Sequence, residues 1–440
     1  MEYDVSIIGL GYVGLSTGIC FANRGIKVLG IDIDQKKIQK IRKGKSPIFE
    51  KNMSILLKKV VKNGKLRVQS NYDEIFKSKI IFLAVGTPSN IDGSINLKYI
   101  KTAIKNIGLS IKKSNEYFLI VIKSTVIPNT SEKIIKDLER YSGKICGTDF
   151  GIIVNPEFLQ EGKAVQNTLY PDRIIIGHSS QKDKKIIMKL YKKIYRKVPP
   201  VVYTNPNNAE LIKYSTSTFL ALKISYINYI ARLAENIPGG DIVEIKTAMS
   251  LDKRISESFL NAGLGFGGSC FPKDIRAIKS FSKDNGINSD ILKSIIEINR
   301  TQPLRVITMV KKKLGNVKKK NISILGLSFK PGTDDMRDAV SIIIIKKLVA
   351  LKAKIKVYDP IAIDNAKRIF GNSIQYSKNP VECIKNTDCC ILVTEWSEFK
   401  NLKPKDFVKQ MNRPLLIDGR RLYEKSIFKN YVEYNAIGLS

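Results

Sequence analysis

A single cysteine stands among glycines in the stretch GFGGSCFPKD, residues 265–274. Glycine backbone can approach a ligand closely and proline fixes a turn, so this loop is a poor place to bury a side chain. Cys270 is followed by Lys273 and Asp274, and a nearby lysine favours the thiolate form of a cysteine. No companion cysteine or histidine stands at metal-ligand spacing. The pattern favours a nucleophile over a core thiol, and no metal site is predicted.

A thiolate beside a hydride-accepting cofactor would support oxidation of an aldehyde to a carboxylate. The sulfur adds to the aldehyde carbon, the adduct loses a hydride and becomes a thioester, and water then releases the carboxylate. A dehydrogenase that acts on an alcohol alone would not need the cysteine. Asp274 is expected either to activate that water or to cap the helix that follows it. Lys213, in AELIKY, is a candidate for stabilising an oxyanion, although most lysines on helices are solvated.

The cofactor that accepts the hydride is predicted to bind near the N-terminus. The apolar run YDVSIIGLGYVG leads into a GxGxxG motif, then a helical stretch, then a second apolar run that ends at Asp32. In a dinucleotide-binding unit the first glycine permits a tight turn, the second admits the pyrophosphate and the third lets the helix pack on the strand. Because Asp32 can hold both ribose hydroxyls and would repel a 2′-phosphate, NAD is predicted rather than NADP. The motif comprises Gly9, Gly11, Tyr12, Val13 and Gly14.

The elements that must position these groups alternate between strands and helices. Four more apolar runs between residues 79 and 177 are separated by turns or helical stretches, which predicts a doubly wound parallel sheet. Ligands bind such sheets off the carboxyl ends of the strands. Four polar residues are expected there: Thr87, Ser124, Thr125 and Glu157.

Two further regions follow this sheet. Residues 207–236 contain no proline or glycine, and they predict one long helix that is buried at a domain joint or a subunit interface. Strand-like runs resume near residue 321 and predict a second α/β unit over roughly 310–440. This unit lacks a GxGxxG motif, so it is expected to bind something other than the NAD pyrophosphate.

Composition limits the classes of partner. Apolar residues make up 43% of the 440 residues, which is enough for folded domains. The formal charge of +35 suggests nucleic acid or an anionic membrane, but the lysines are spread along the chain without a basic arm, so neither partner is predicted. The six scattered cysteines fit a reducing compartment. No run has the length of a membrane span or the flanks of a signal peptide, so a cytoplasmic protein is expected.

The motifs resemble those of a known family. They are GLGYVGL, STV (124–126), NPEFLQEG (155–162), AELIKY, FLNAGLGFGGSCFPKD (259–274), FKPGTDDMRD (329–338) and DGR (418–420). In this order they resemble the nucleotide-sugar 6-dehydrogenases of the UDP-glucose/GDP-mannose dehydrogenase family over nearly the whole chain. The resemblance implies two Rossmann-like doubly wound domains joined by a long central helix, with an α-helical middle region, in a homodimer or larger homo-oligomer. It implies four-electron oxidation of a sugar C6 hydroxyl to a carboxylate with two NAD⁺.

The resemblance also implies three domains and a substrate. An NAD-binding domain is expected over residues 1–203, a central helical domain for dimerisation and the catalytic cysteine over 204–305, and a C-terminal UDP-sugar-binding α/β domain over 306–440. UDP-glucose is the expected substrate, because FPKD after the cysteine resembles the glucose branch of the family. GDP-mannose and a UDP-N-acetylhexosamine stay open as alternatives.

Roles carry over by position. Cys270 resembles the covalent nucleophile, Lys213 and Asp274 resemble the pair that handles the oxyanion and the water, and Thr125 and Glu157 match positions beside the reacting centre, with Glu157 a candidate acid/base. The implied cofactor contacts outside the glycine motif are Asp32, Lys37, Thr87, Ser124, Thr125, Glu161, Lys273 and Arg337. The implied substrate contacts are Glu157, Phe158, Leu159, Lys213, Ser217, Arg254, Phe259, Gly267, Lys330 and Arg420, with Arg254 donated across the dimer.

One position departs from the family pattern. The family has Asn in the turn after the catalytic lysine, whereas KYSTSTF places Ser217 there. Serine is shorter and carries one hydroxyl in place of a carboxamide, so a hydrogen bond to substrate or water would be longer or bridged. This departure motivates a non-catalytic alternative, a regulatory protein that binds sugar nucleotides. The net charge motivates another, a nucleic-acid binder.

Overall fold

The computed structural model describes residues 1–440 as a mixed α/β protein. The chain forms two compact units. The first comprises residues 1–216 with 276–281, and the second comprises residues 217–275 with 282–440. None of the helices combines the length and the apolar character that a membrane span requires.

An eight-stranded sheet forms the centre of the first unit. Its strands are β1 (Tyr3–Ile8), β2 (Val28–Ile31), β3 (Leu66–Gln69), β4 (Ser78–Leu83), β5 (Phe118–Ile122), β6 (Phe150–Val154), β7 (Ile174–His178) and β8 (Val201–Thr204). They lie in the order β3-β2-β1-β4-β5-β6-β7-β8. The change of direction beside β1 creates the crevice in which doubly wound sheets bind ligands.

Helices cover both faces of this sheet. They are α1 (Tyr12–Asn23), α2 (Gln35–Arg42), α3 (Met53–Lys62), α4 (Lys98–Ile111), α5 (Thr130–Ser142), α6 (Ala164–Leu169) and α7 (Gln181–Ile194). Every residue of β5 is buried, because alternate side chains enter two different cores. Val121 joins the core that contains Leu15 of α1, whereas Ile120 joins the core that contains Ile104 of α4 and Ile134 of α5.

The sheet departs from the predicted all-parallel arrangement at one pair. Strand β7 runs antiparallel to β6, with Val154 opposite Gly177, and β8 then pairs parallel to β7. The connection over residues 155–173 contains only the short helix α6, and it returns to the end of the sheet that it left. Because the chain does not cross the face of the sheet, the two neighbours run in opposite directions.

A long helix follows the first sheet. Helix α8 spans Pro206–Ala234, 29 residues, close to the predicted 207–236. Proline suits its first position, because that backbone nitrogen has no intrahelical acceptor. Four helices come next in the chain: α9 (Ile242–Ser250), α10 (Phe271–Asp284), α11 (Asp290–Thr301) and α12 (Leu304–Leu314).

The second unit contains a six-stranded parallel sheet. Its strands are β9 (Asn321–Leu325), β10 (Lys354–Tyr358), β11 (Gln375–Tyr376), β12 (Cys389–Leu392), β13 (Leu415–Asp418) and β14 (Glu433–Ala436), in the order β11-β10-β9-β12-β13-β14. The accompanying helices are α13 (Val340–Ala350), α14 (Ile363–Phe370), α15 (Pro380–Ile384), α16 (Pro404–Gln410) and α17 (Lys425–Phe428). Two Rossmann-like sheets, with a long helix and a helical region between them in the chain, confirm the predicted fold class.

Candidate active site

The GxGxxG motif forms the turn between β1 and α1, with Tyr12 and Val13 opening the helix. Gly9 has a φ of +91°, and a Cβ there would lie 2.7 Å from the Ala84 carbonyl oxygen. At Gly14 a Cβ would collide with the Gly9 carbonyl oxygen, whereas at Gly11 it would meet no atom within 4 Å. Gly11 is also the N-cap of α1. The turn thus leaves open space at a helix N-terminus, where a pyrophosphate fits.

Asp32 follows β2 directly, and three donors hold its carboxylate. The N–H groups of Leu10 and Asp34 donate to it at 2.8 Å and 3.0 Å, and the ammonium of Lys37 lies 2.6 Å away. The residue is only 8% exposed. The bond from Leu10 links the acid to the glycine turn, so the carboxylate has a fixed place beside the site where a ribose would follow the pyrophosphate.

Three hydroxyl residues lie together at the carboxyl ends of β4 and β5. The Thr87 hydroxyl donates to the Thr125 carbonyl at 2.9 Å, and the Ser124 hydroxyl donates to the Val85 carbonyl at 2.8 Å. These bonds join the two strand ends at the sheet edge that also carries the glycine turn. The first unit therefore brings Thr87, Ser124 and Thr125 to one edge.

Glu157 and Lys213 form a close pair at the same edge. The Lys213 ammonium donates to the Glu157 carboxylate at 2.9 Å and to its carbonyl oxygen at 2.7 Å. The two side chains are 11% and 7% exposed for Glu157 and Lys213, respectively. Burial raises the pKa of the Glu157 carboxyl, but the Lys213 charge and hydrogen bond, the Leu159 N–H and the Lys123 charge together lower it below its usual value.

The loop that follows Glu157 carries three more predicted residues. The guanidinium of Arg173 stacks on the Phe158 ring at 4.1 Å, and the Lys213 ammonium lies 5.5 Å from the same ring. Leu159 donates its N–H to Glu157, and Glu161 is 8% exposed. The structure therefore brings Glu157, Phe158 and Leu159 of NPEFLQEG together with Lys213, and Glu161 is buried further along the same loop.

Two polar residues here were not predicted. Lys123 follows β5 and donates to the Asn155 side-chain oxygen at 2.9 Å, beside Glu157 in a cavity of about 70 Å³. Glu210 of α8 is 1% exposed and accepts the Ser131 N–H, at the start of α5, at 2.8 Å. Burial raises the pKa of Glu210 to about 7, although backbone N–H groups oppose the shift. The sequence feature that could have identified both residues is a charged side chain that ends or interrupts an apolar run.

In the second unit, Cys270 directly precedes helix α10. The Asp274 N–H donates to the Cys270 carbonyl at 2.8 Å, so the helix begins at Phe271 and Asp274 lies in its first turn. The alternative expectation that Asp274 caps this helix is therefore wrong. The helix starts earlier than predicted because Pro272 is favourable in a first turn. Asp274 is 1% exposed, and Lys273 lies 2.6 Å from its carboxylate.

Polar side chains hold the loop that presents Cys270. Asn299 forms two hydrogen bonds with the backbone of Phe266, at 2.8 Å and 2.9 Å. The N–H of Gly268 donates to the Arg337 carbonyl at 2.8 Å, and the Arg420 guanidinium donates to the Gly265 carbonyl at 3.3 Å. These contacts join the cysteine loop to FKPGTDDMRD and DGR, two motifs more than 50 residues further along the chain.

The remaining predicted residues of the second unit lie in two groups. Around the loop, a Cβ at Gly267 would collide with the carbonyl of Asp338, and the Phe259 ring lies 6.1 Å from that of Phe271. The ammonium of Lys330 lies 5.6 Å from the Phe329 ring, which packs on Gly268. Elsewhere, Ser217 is buried on α8, and the side chain of Arg254 is 89% exposed and pairs with Asp252.

Three family models cover most of the chain. The NAD binding domain, the central domain and the UDP binding domain of the UDP-glucose/GDP-mannose dehydrogenase family match residues 3–195, 207–301 and 323–425. The chain belongs to this family. The match to the NAD binding domain confirms the predicted cofactor, and the open space at Gly11 with the fixed carboxylate of Asp32 fits that cofactor.

Named relatives match almost the full length of the chain. UDP-glucose 6-dehydrogenase YwqF of Bacillus subtilis (strain 168) is 38% identical over 99% of this chain and 97% of its own, and UDP-glucose 6-dehydrogenase of Rickettsia bellii (strain RML369-C) is 40% identical over 95% of each. Among solved structures, a UDP-glucose dehydrogenase from Pyrobaculum islandicum has a TM-score of 0.92 at 32% identity, covering 100% of this chain and 98% of its own. A UDP-D-ManNAc dehydrogenase from Pyrococcus horikoshii has a TM-score of 0.86 at 27% identity, covering 99% of each.

Proposed function

We propose that this protein is a UDP-glucose 6-dehydrogenase, which oxidises the C6 hydroxyl of UDP-glucose to the carboxylate of UDP-glucuronate. The near-full-length match to relatives of that name carries the proposal. The loop GFGGSCFPKD supports it, because an oxidation that ends at a carboxylate benefits from a nucleophile that retains the aldehyde. The same edge of the first sheet offers the acid, the ammonium and the hydroxyls that such a reaction needs.

NAD⁺ would supply the hydride acceptor, with one hydride passing to each of two NAD⁺ molecules per sugar. The Cys270 thiolate forms a C–S bond with the C6 aldehyde, so the aldehyde stays on the protein as a thiohemiacetal. After the second oxidation this adduct is a thioester, and water adds to its carbonyl carbon. The C–S bond then breaks, the carboxylate leaves with the water oxygen, the sulfur returns to the thiolate, and both protons of the water are released. The N-terminus of α10 favours negative charge on that sulfur.

Proton transfer is assigned to the predicted polar residues. Glu157, which is ionised beside Lys213, accepts the C6 hydroxyl proton directly or through water near Thr125. Lys213 donates to the oxygen that becomes negative, and Asp274 activates the water that cleaves the thioester. The other predicted cofactor and substrate contacts keep the roles implied by the resemblance, and the boundaries 1–203, 204–305 and 306–440 are proposed as its three domains.

A homodimer in the cytoplasm completes the proposal. Helix α8 exposes Phe219, Tyr226, Tyr229 and Leu233, at fractions between 46% and 61%. These residues recur every three, four or seven positions, so they share one face of the helix, as in helix–helix interfaces. An exposed apolar stripe of this kind marks an interaction surface. Sedimentation of the purified protein should give twice the 49.5 kDa chain mass, and a monomer at micromolar concentration would contradict the assembly.

A panel of sugar nucleotides tests the reaction. Purified protein with NAD⁺ is given UDP-glucose, GDP-mannose, UDP-N-acetylglucosamine and UDP-N-acetylmannosamine separately, and NADH is counted against sugar consumed. UDP-glucose should give two NADH per sugar and UDP-glucuronate as the product. NADH from another sugar nucleotide but none from UDP-glucose would refute the proposal. The likeness to the Pyrococcus horikoshii UDP-D-ManNAc dehydrogenase makes a UDP-N-acetylhexosamine the second candidate.

A further inference from the structure

Lys123 is a charged residue at a strand end of the first unit, and the reaction above does not use it. It directly follows the fully buried strand β5 and precedes Ser124 and Thr125. Its ammonium donates to a neutral amide, the Asn155 side-chain oxygen, at 2.9 Å. A lysine at the end of a core strand loses hydration, and a neutral partner restores only part of that loss. This position is therefore costly unless the charge has a use.

Asn155 is itself rigidly held. Its side-chain nitrogen donates to the Ile175 carbonyl at 2.8 Å, and the Tyr191 hydroxyl donates to its side-chain oxygen at 2.6 Å. Its backbone N–H donates to the Ile122 carbonyl at 2.8 Å. Asn155 lies two residues before Glu157 in the chain. Through Asn155, the Lys123 ammonium is anchored to strands β5, β6 and β7.

Lys123 and Glu157 both line the cavity of about 70 Å³. The positive charge of Lys123 lowers the pKa of the Glu157 carboxyl, in addition to the larger effect of Lys213. Loss of hydration lowers the pKa of Lys123 to about 8, Glu157 opposes this shift and Lys213 adds to it. The titratable or charged groups that line the same cavity are Glu157, Asp172, Arg173, Tyr191 and Tyr195, and Lys213 also acts on Lys123.

We propose that Lys123 is a positioning residue that keeps the Glu157 carboxylate ionised and oriented while Lys213 is engaged by the reacting oxygen. Lys213 contacts Glu157 directly. When Lys213 donates to a substrate oxygen instead, the nearly buried Glu157 carboxylate loses its main partner. Lys123 cannot follow the substrate, because Asn155 holds it. At a pH below about 8 it therefore keeps its positive charge at the moment when Glu157 would otherwise take up a proton too readily, because its own pKa is about 8. This inference rests on the proposed function.

Three variants separate charge from packing. Lys123→Met removes the charge and the hydrogen bond, Lys123→Gln removes the charge and keeps a donor, and Lys123→Arg keeps the charge. Lys113→Met, at an exposed lysine after α4, is the matched control. The acid limb of kcat should move up by about one pH unit in both neutral variants and stay in place in Lys123→Arg and Lys113→Met. The KM for NAD⁺ should stay within about twofold of the wild type, since the glycine turn and Asp32 are untouched.

An infrared titration, which does not depend on turnover, accompanies the kinetic measurements. The infrared carboxylate band of Glu157, isolated by subtraction of a Glu157→Gln spectrum, should titrate at higher pH in the neutral variants, with UDP-glucose bound. An acid limb and a band that both stay at wild-type values in folded Lys123→Gln would overturn the proposal. If the wild type turns over another sugar nucleotide instead of UDP-glucose, only the proposed function fails, and the same variants are compared with that substrate.

Discussion

The Lys213 ammonium lies 2.9 Å from the Glu157 carboxylate and 2.7 Å from the carbonyl oxygen of the same residue. The contact fixes the start of the loop after β6 against helix α8, 56 residues away in the chain. Because both side chains are nearly buried, each charge depends on the other for its stability. Stability and chemistry should therefore respond differently when one partner or both are replaced.

Replacement of Lys213 by Met should lower kcat at least about 100-fold, since an oxyanion donor is lost. It should also destabilise the protein by about 3 kcal/mol, because it leaves a buried carboxylate unpaired. The double variant Lys213→Met/Glu157→Gln should recover much of that stability without recovering activity. Urea unfolding at pH 7 and initial rates check both. A single variant as stable as the wild type would contradict the account of the pair.

The two glycines of the nucleotide turn should separate stability from cofactor binding. In Gly11→Ala the new Cβ meets no protein atom, so the melting temperature should stay near the wild-type value while the KM for NAD⁺ rises at least about tenfold, because the pyrophosphate loses its space. In Gly14→Ala the Cβ collides with the Gly9 carbonyl, so the protein itself should be destabilised. Calorimetry and NAD⁺ titration of both variants provide the comparison. Equal melting temperatures for the two would be inconsistent with this geometry.

Asp32→Ala should weaken NAD⁺ binding by about 1 kcal/mol, or roughly fivefold, through loss of the ribose hydrogen bonds. The discrimination against NADP⁺ should fall with it, since the repulsion of a 2′-phosphate disappears. Asp73→Ala, at an exposed carboxylate of the same unit, serves as the control and should leave both values unchanged. Dissociation constants from fluorescence titration measure the effect. Unaltered cofactor preference in Asp32→Ala would place the ribose elsewhere.

Glu210 should make stability depend on pH. Its pKa is raised to about 7 in the folded protein, so its contribution is fully present below its ordinary pKa and is lost as the pH rises through 7. Between pH 5 and pH 8 the wild type should therefore lose up to about 3 kcal/mol relative to Glu210→Gln, which cannot titrate. Urea midpoints of the two proteins at both values of pH test this. A constant difference would show that Glu210 keeps its ordinary pKa.

Cys270→Ser should stop carboxylate formation while NAD⁺ binding persists. The hydroxyl is a far weaker nucleophile than a thiolate, so the thioester cannot form and the yield of UDP-glucuronate should fall at least about 1000-fold. Chromatographic analysis of the products, with a parallel NAD⁺ titration, distinguishes lost chemistry from a lost cofactor site. Cys146→Ser, at another partly exposed thiol, should behave as the wild type. Undiminished turnover in Cys270→Ser would eliminate the covalent route.

Local pattern was enough to predict the parts of the fold that depend on neighbouring residues. The glycine turn, the alternation of strands and helices, and the long helix all follow from hydrophobic period and from glycine and proline positions, which act over a few residues. The short strands β3, β8, β11 and β14 were not predicted. They contain four residues or fewer, and none of them is fully buried, whereas β2, β12 and β13 are as short but fully buried. A short, partly exposed strand shows no apolar run, and its sheet neighbours stabilise it.

The sequence by itself determined the presence of a dinucleotide turn ending in Gly14, an acid at Asp32 and a reactive cysteine loop. Only the tertiary structure decided that Lys213 pairs with Glu157, that Glu210 holds the start of α5 and that Lys123 lies anchored beside the same carboxylate. It also decided that β7 reverses against β6. The three side-chain contacts join residues 32 to 79 positions apart, and the direction of β7 depends on the path of the connection before it. The local period of a chain, which acts over a few residues, encodes neither.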